Sequence, residues 1–196
     1  MVWAAHPIEA ESYRILRSQV DTSHLLPISR AVTERVIHAS ADLAYATDLC
    51  CDENALRAGQ QALVTGAPVV VDVRMLAAGI TSRPSVVALD LAPAPLPGLT
   101  RSAAGIRVAA SQYPQGAVWA VGNAPTALRE LIRLAVQGLL RPALVIGLPV
   151  GFVDAAAAKA ALRESGLPAL SNRSAKGGTA VAAAAVNALL RGQPAP

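Results

Sequence analysis

Aromatic residues are nearly absent from this chain of 196 residues: they make up 3% of it, with one phenylalanine, two tryptophans and three tyrosines. A core without rings has to be built from Ala, Val, Leu and Ile, and side chains this small allow the close helix–sheet approach of layered α/β folds. Charge is also scarce. At 15% charged against 53% hydrophobic residues, the chain is expected to fold compactly rather than stay disordered. Cys50 and Cys51 are the only cysteines and sit side by side, which gives neither a disulfide framework nor a metal-ligand spacing. His6, His24 and His38 are scattered, with no HExxH or similar cluster, so no metal site is expected. No apolar run approaches the roughly 18 residues of a membrane span. The start, Met1-Val2-Trp3-Ala4-Ala5-His6-Pro7-Ile8-Glu9, lacks the basic segment and apolar core of a signal peptide. These absences lead to the expectation of a soluble, cytoplasmic protein with no metal, folded as a single domain over residues 1–196.

Lysine is scarce as well. Of the 17 basic residues only Lys159 and Lys176 are lysines, and the net charge is +4. Guanidinium forks suit planar carboxylates and phosphates better than ammonium groups do. The arginines are not clustered and no aromatics are interleaved with them, which argues against nucleic acid and leaves a small polyanion as a possible ligand.

The patterning divides the chain cleanly. Helices are expected from Pro7-Ile8-Glu9 to about Val20, after Pro27, and from Asp52-Glu53-Asn54 to Val64 before Gly66. In the first of these, Ile8, Ser12, Ile15, Leu16 and Gln19 fall near one side, placing a serine on or beside the apolar face. Val69-Val70-Val71-Asp72-Val73 reads as a strand buried on both faces. A short helix, Arg74 to Ala78, follows, then a strand at Val86-Val87-Ala88-Leu89 and a proline-rich loop from Ala92 to Leu99. Thr100-Arg101-Ser102 opens a helix to about Ser111. Strands are expected at Ala117–Val121, Ala143–Gly147 and Pro168–Ser171, each followed by a loop and a helix. The helix after Asn123, which is the expected N-cap, extends to Leu140, the next begins at Asp154, and an alanine-rich one closes the pattern near Leu190. Successive strand–loop–helix units imply an α/β fold: a three-layer α/β/α domain with a mainly parallel sheet of about five strands.

Sites of such sheets lie outside the carboxyl ends of the strands. Three loops fall there: Gly122-Asn123-Ala124-Pro125-Thr126, Gly147-Leu148-Pro149-Val150-Gly151, and Lys176-Gly177-Gly178-Thr179. Glycines let backbone N–H groups approach a ligand and helix N-termini favour anions, although the first loop serves equally well as a plain helix cap. None has the order of a GxGxxG or GxxxxGK[ST] fingerprint, and no Gly-x-Ser-x-Gly elbow occurs, so nucleotide binding and serine hydrolysis are disfavoured. One proton carrier stands out. In Arg35-Val36-Ile37-His38-Ala39-Ser40-Ala41-Asp42, offsets of three and four put Arg35, His38 and Asp42 on one helical face, with Asp42 a candidate orienting partner. By itself that spacing favours a structural histidine paired with its neighbours over a site.

Several segments, in order, carry a resemblance. They are His6-Pro7-Ile8-Glu9-Ala10-Glu11-Ser12, Arg35-Val36-Ile37-His38-Ala39, Gly79-Ile80, Thr100-Arg101-Ser102-Ala103-Ala104, Gly122-Asn123-Ala124-Pro125-Thr126-Ala127-Leu128, Gly147-Leu148-Pro149-Val150-Gly151-Phe152-Val153 and Lys176-Gly177-Gly178. From about His6 to Leu190 the chain resembles the precorrin-8X methylmutase family, whose anaerobic branch acts on cobalt-precorrin-8. The resemblance implies an isomerase of corrin biosynthesis that moves a methyl group from C-11 to C-12 of the macrocycle by a 1,5-sigmatropic shift. The product is hydrogenobyrinic acid, or cobyrinic acid when cobalt is present. No cofactor is implied. His38 matches the catalytic histidine, expected to protonate or hydrogen-bond a ring nitrogen. Ser12, Arg35 and Arg101 match positions expected to hold the acidic tetrapyrrole, with Arg83, Arg173 and Lys176 as further rim contacts. A homodimer with sites near the subunit interface is implied, with other corrin-pathway enzymes as candidate partners. The alternative is a carrier that holds acidic corrinoid intermediates without turnover.

Overall fold

In a computed structural model, residues 6–92, 94 and 96–191 are described. Residues 1–5, on which the absence of a signal peptide was partly read, lie outside them, as do Pro93 and Pro95 of the expected proline-rich loop. The chain begins α1 (Pro7–Gln19), α2 (Pro27–Ser40), α3 (Tyr45–Asp48), β1 (Leu49–Cys51), α4 (Glu53–Val64), β2 (Val69–Val71), α5 (Arg74–Gly79), β3 (Val86–Val87) and α6 (Ala88–Leu91). It continues α7 (Arg101–Gln112), β4 (Val118–Val121), α8 (Pro125–Val136), β5 (Leu144–Gly147), α9 (Ala155–Glu164), β6 (Ala169–Asn172) and α10 (Thr179–Arg191).

The strands form one sheet in the order β1-β6-β5-β4-β2-β3. All neighbours are parallel except β1, which runs antiparallel to β6 with Leu49 opposite Asn172. The expected mainly parallel α/β/α arrangement is therefore present, with six strands in place of about five. The added strand is β1, whose three residues are too short a run to register as a pattern. The expected strand at 86–89 stops after two residues because Ala88 begins a helical turn.

Alternation along the strands sorts the core into two layers. Val69, Val71, Val118, Ala120, Leu144 and Ile146 point to the side of α2, α4 and α10. Val70, Trp119, Val121 and Val145 point to the side of α7, α8 and α9. Between the sheet and α2 lies α10, in which every residue from Val181 to Leu189 is buried. A helix covered this fully is apolar nearly all round, with Asn187 its one buried polar residue, and its alanines let its neighbours come close. At Gly79, the last residue of α5, an added Cβ would stand 2.7 Å from Ala183 Cβ. The glycine therefore permits this contact.

In α1 the buried residues are Tyr13 and Leu16, while Ile8 is 76% exposed and Ile15 is also exposed. The inward face is thus rotated from the one the apolar spacing suggested, and Ser12 stays half-buried beside it. No helix among the described residues is long and apolar enough to cross a membrane.

On the far layer, Gly105 of α7 faces the backbone of α6: an added Cβ would lie 2.6 Å from the Ala88 carbonyl oxygen. Backbone cannot swing aside as a side chain can. Gly105→Ala is expected to destabilise the fold by about 2 kcal/mol, as overpacking typically does. Urea unfolding should show a lower midpoint at unchanged slope.

Candidate active site

His38 occupies the last turn of α2, and α1 packs across that turn. Ser12 Oγ lies 2.8 Å from His38 Nδ1. The next residue, Tyr13, lays its ring against the imidazole, with centroids 5.1 Å apart and planes 14° from parallel. Successive helical residues point about 100° apart, so one turn of α1 meets the edge of the imidazole with Ser12 and its face with Tyr13. Arg35, one turn earlier on α2, pairs with Glu9 of α1 and reaches Tyr13 Oη at 3.5 Å. Beyond them Glu34, buried in α2, accepts from Arg17, Arg30 and Thr22 and fastens the two helices together.

Arg35 and His38 line a cavity of about 300 Å³ with Ala39, Gly79 and, from α10, Ala180, Ala183, Ala184 and Asn187. Asn187 donates to the Gly79 carbonyl at 2.8 Å, holding the end of α5 over α10. Among the described residues His38 Nε2 has no hydrogen-bond partner, whereas Nδ1 has Ser12. Partial burial pushes the imidazole pKa down, the Arg35 charge pushes it the same way, and Glu9 opposes them. The neutral ring is thereby favoured in the free protein.

Asp42 does not orient this histidine. The α2 helix ends at Ser40 and Ala41 takes left-handed dihedrals, φ 54° and ψ 23°, which carries Asp42 off the helical face. Its carboxylate instead accepts from Lys176 Nζ at 2.7 Å. Lys176 also lies 5.9 Å from the centre of the Tyr45 ring, so this lysine packs just beyond the C-terminal end of α2.

The remaining basic candidates are dispersed. Arg83 donates to the carbonyls of Leu63 and Ala67 at 3.1 and 3.2 Å, at the C-terminal end of α4. Arg173 donates to the Thr47 carbonyl at 2.9 Å and lines a different cleft, with Cys50, Cys51 and Arg163. Arg101 is exposed at the start of α7, where Thr100 Oγ1 is 2.8 Å from Thr126 Oγ1 of α8, and it has no ion pair among the described residues. None of these three lines the His38 cavity.

The expected anion cradle at the start of α8 is already filled. Asp72, fully buried just past β2, accepts from the N–H groups of Gly122, Asn123 and Ala124 at 3.2, 2.8 and 3.1 Å. Ala124 is the N-cap, not Asn123, and its own side chain makes no capping bond. A carboxylate from another strand does that work. Burial raises the Asp72 pKa while the three amides pull it down.

The Lys176 loop is built rather than loose. Buried Lys159 of α9 donates to Asn172 Oδ1 at 2.8 Å and to the Lys176 carbonyl at 2.5 Å. Burial pushes the pKa of Lys159 down to about 8. Asn172 and Ser174 donate to Asp48 at 2.8 and 2.6 Å. At Gly177, φ is +152° and a Cβ would fall 2.3 Å from the Leu148 carbonyl, so only glycine fits. Tyr13, Glu9, Lys159 and Asn187 escaped the sequence reading, because each acts through partners far away in the chain. Among the described residues no group of three or more His, Cys, Asp or Glu side chains is placed to hold a metal ion.

Comparison with known proteins bears on this arrangement directly. The Precorrin-8X methylmutase family profile matches residues 7–192. The cobalt-precorrin-8 methylmutase of Methanocaldococcus jannaschii is 40% identical over 167 residues, 81% of this chain and 77% of that protein. The precorrin-8X methylmutase of Pseudomonas aeruginosa is 37% identical over 193 residues, 93% of each chain. In three dimensions, the crystal structure of the precorrin-8X methylmutase from Thermus thermophilus superposes with a TM-score of 0.87 at 36% identity, covering 94% of both chains. A match this complete, over a fold that places a cavity at the motif histidine, makes the chain a member of the precorrin-8X methylmutase family.

Proposed function

We propose that His38 is the proton donor and acceptor of this isomerase of corrin biosynthesis, and that it acts through Nε2 on a ring nitrogen of the substrate. The reaction moves a methyl group from C-11 to C-12 of the macrocycle. A hydrogen bond or proton at the ring nitrogen draws electron density from the conjugated system and eases the migration. The observation that carries this reading is the His38 ring itself, held at Nδ1 by Ser12 and belonging to a residue that lines the cavity. When Ser12 Oγ donates to Nδ1, the ring proton sits on Nε2, which is the tautomer able to donate to substrate. When the ring is fully protonated, Nδ1–H donates back to the hydroxyl. Serine serves both states because a hydroxyl rotates between donor and acceptor. The lowered imidazole pKa favours the neutral ring in the free protein, and a ring so weakly basic gives up readily any proton it does take.

The cavity of about 300 Å³ lies at the small end of ligand sites, which run from about 300 to 1,000 Å³. A tetrapyrrole therefore rests against it with one edge inside, and its carboxylates reach outward. Arg35 is the cation at the wall, and Arg101 suits a bidentate carboxylate pair at the rim. Arg83, Arg173 and Lys176 join as rim contacts only by giving up the partners they hold here. We further propose a homodimer in the cytoplasm, with the neighbouring copy completing the walls around the macrocycle. The relatives' names include both metal-free and cobalt-containing substrates, and the metal belongs to the substrate.

His38→Ala should lower the rate of precorrin-8X conversion, followed by its spectral change, by about 10²–10⁴-fold, the usual worth of a general acid, while substrate binding persists. Full activity in that variant would reject the mechanism. Binding without turnover by the unaltered protein would favour a carrier instead.

In the free enzyme, NMR titration should place His38 below the ordinary histidine pKa of about 6.5. Removing the Arg35 charge with Arg35→Met should move it up, and Glu9→Gln should move it down. Because the folded pKa is the lower one, this histidine's contribution to stability is present above about 6.5 and lost as pH falls through the folded value.

A further inference from the structure

We propose that Tyr13 is a positioning residue for the methyl shift: it fixes the plane of the His38 ring so that Nδ1 stays on Ser12 and Nε2 stays turned to the substrate. This rests on the reading of His38 as the acting group. A single hydrogen bond at Nδ1 fixes one edge of an imidazole and leaves the ring free to tilt about that bond. The Tyr13 ring supplies the missing restraint, stacked within 14° of parallel at a centroid distance of 5.1 Å. Offset stacking of this kind favours one relative orientation of the two rings.

Tyr13 is itself firmly held. It is 3% exposed, its hydroxyl lies 3.5 Å from Arg35 Nη1, and the Arg17 guanidinium carbon sits 5.7 Å from its ring centre. Arg17 is in turn anchored on buried Glu34 through a 2.8 Å contact. A rigid chain thus runs from Glu34 through Arg17 and Tyr13 to the imidazole. Aromatics are rare in this protein, and among the described residues this is the one that stacks on the candidate acid. A leucine or methionine at position 13 would fill the space, but neither has a flat face to set the ring plane.

The test compares Tyr13→Leu, Tyr13→Met and Tyr13→Phe with His38→Ala, using precorrin-8X as substrate and circular dichroism as a check on folding. Tyr13→Phe keeps the flat ring and should hold kcat within about threefold. Tyr13→Leu should lose kcat by about tenfold to a hundredfold, the scale of a misplaced reacting group, with KM changed by less than about threefold. Should the leucine variant fail to fold, Tyr13→Met, unbranched and flexible enough to adapt to the space, takes its place with the same expectation. The ring nitrogens of His38, observed by 15N NMR, should give one tautomer pattern in the unaltered protein and in Tyr13→Phe. They should give averaged shifts in the variant lacking the ring, a change that a purely structural role would not produce. If the leucine and methionine variants keep kcat and a single tautomer while His38→Ala is inactive, Tyr13 has no positioning role and the histidine reading stands. If His38→Ala keeps full activity, both fall.

Discussion

Everything at the candidate site depends on how closely α10 can be packed. Its residues from Val181 to Leu189 are buried against the sheet on one side and α2 on another. Each alanine on its surface brings a neighbouring backbone nearer than a leucine would, at the cost of less apolar area per residue. The arrangement recovers that area through the number of elements gathered round one helix. It also leaves a shallow hollow lined by small side chains where α2 ends, and His38 stands at its wall. A bulkier α10 would fill the hollow with its own side chains.

Much of this was legible in advance, for reasons that can be named. The β-branched run at Val69–Val71 and the runs at Val118–Val121 and Leu144–Gly147 are buried on both faces, and such strands announce themselves by unbroken hydrophobicity. Ser12 stood out as a polar residue beside an apolar face, and it is the partner of His38 Nδ1. What could not be read depends on local dihedrals or on distant partners. Extending the helical face of α2 through Asp42 failed because Ala41 adopts a left-handed conformation, which nothing in an alanine signals. The outward turn of Ile8 and Ile15 was equally hidden, since spacing gives a face but not what it faces.

The basic residues illustrate the same divide. An excess of arginine suggested a polyanionic ligand. Yet several of these guanidinium groups are engaged within the protein: Arg17 and Arg30 on Glu34, Arg107 and Arg133 on Glu130, and Arg129 on Asp154. Buried carboxylates such as Glu34 and Glu130 need such partners to remain charged. Composition counts charges, and only geometry tells which of them are spent.

The Asp72 carboxylate at the start of α8 has a consequence for what this architecture can become. In many α/β proteins the same position, where a strand hands over to a helix, receives a phosphate group from a nucleotide. Here the chain supplies its own anion, tethered one strand away and sealed from water. A covalently attached occupant is always present at high local concentration, so a diffusing phosphate cannot compete for those amides. That crevice is thus closed to a phosphate by the chain's own side chain, and the cavity beside His38 lies instead in the layer that α2 and α10 form on the other face of the sheet.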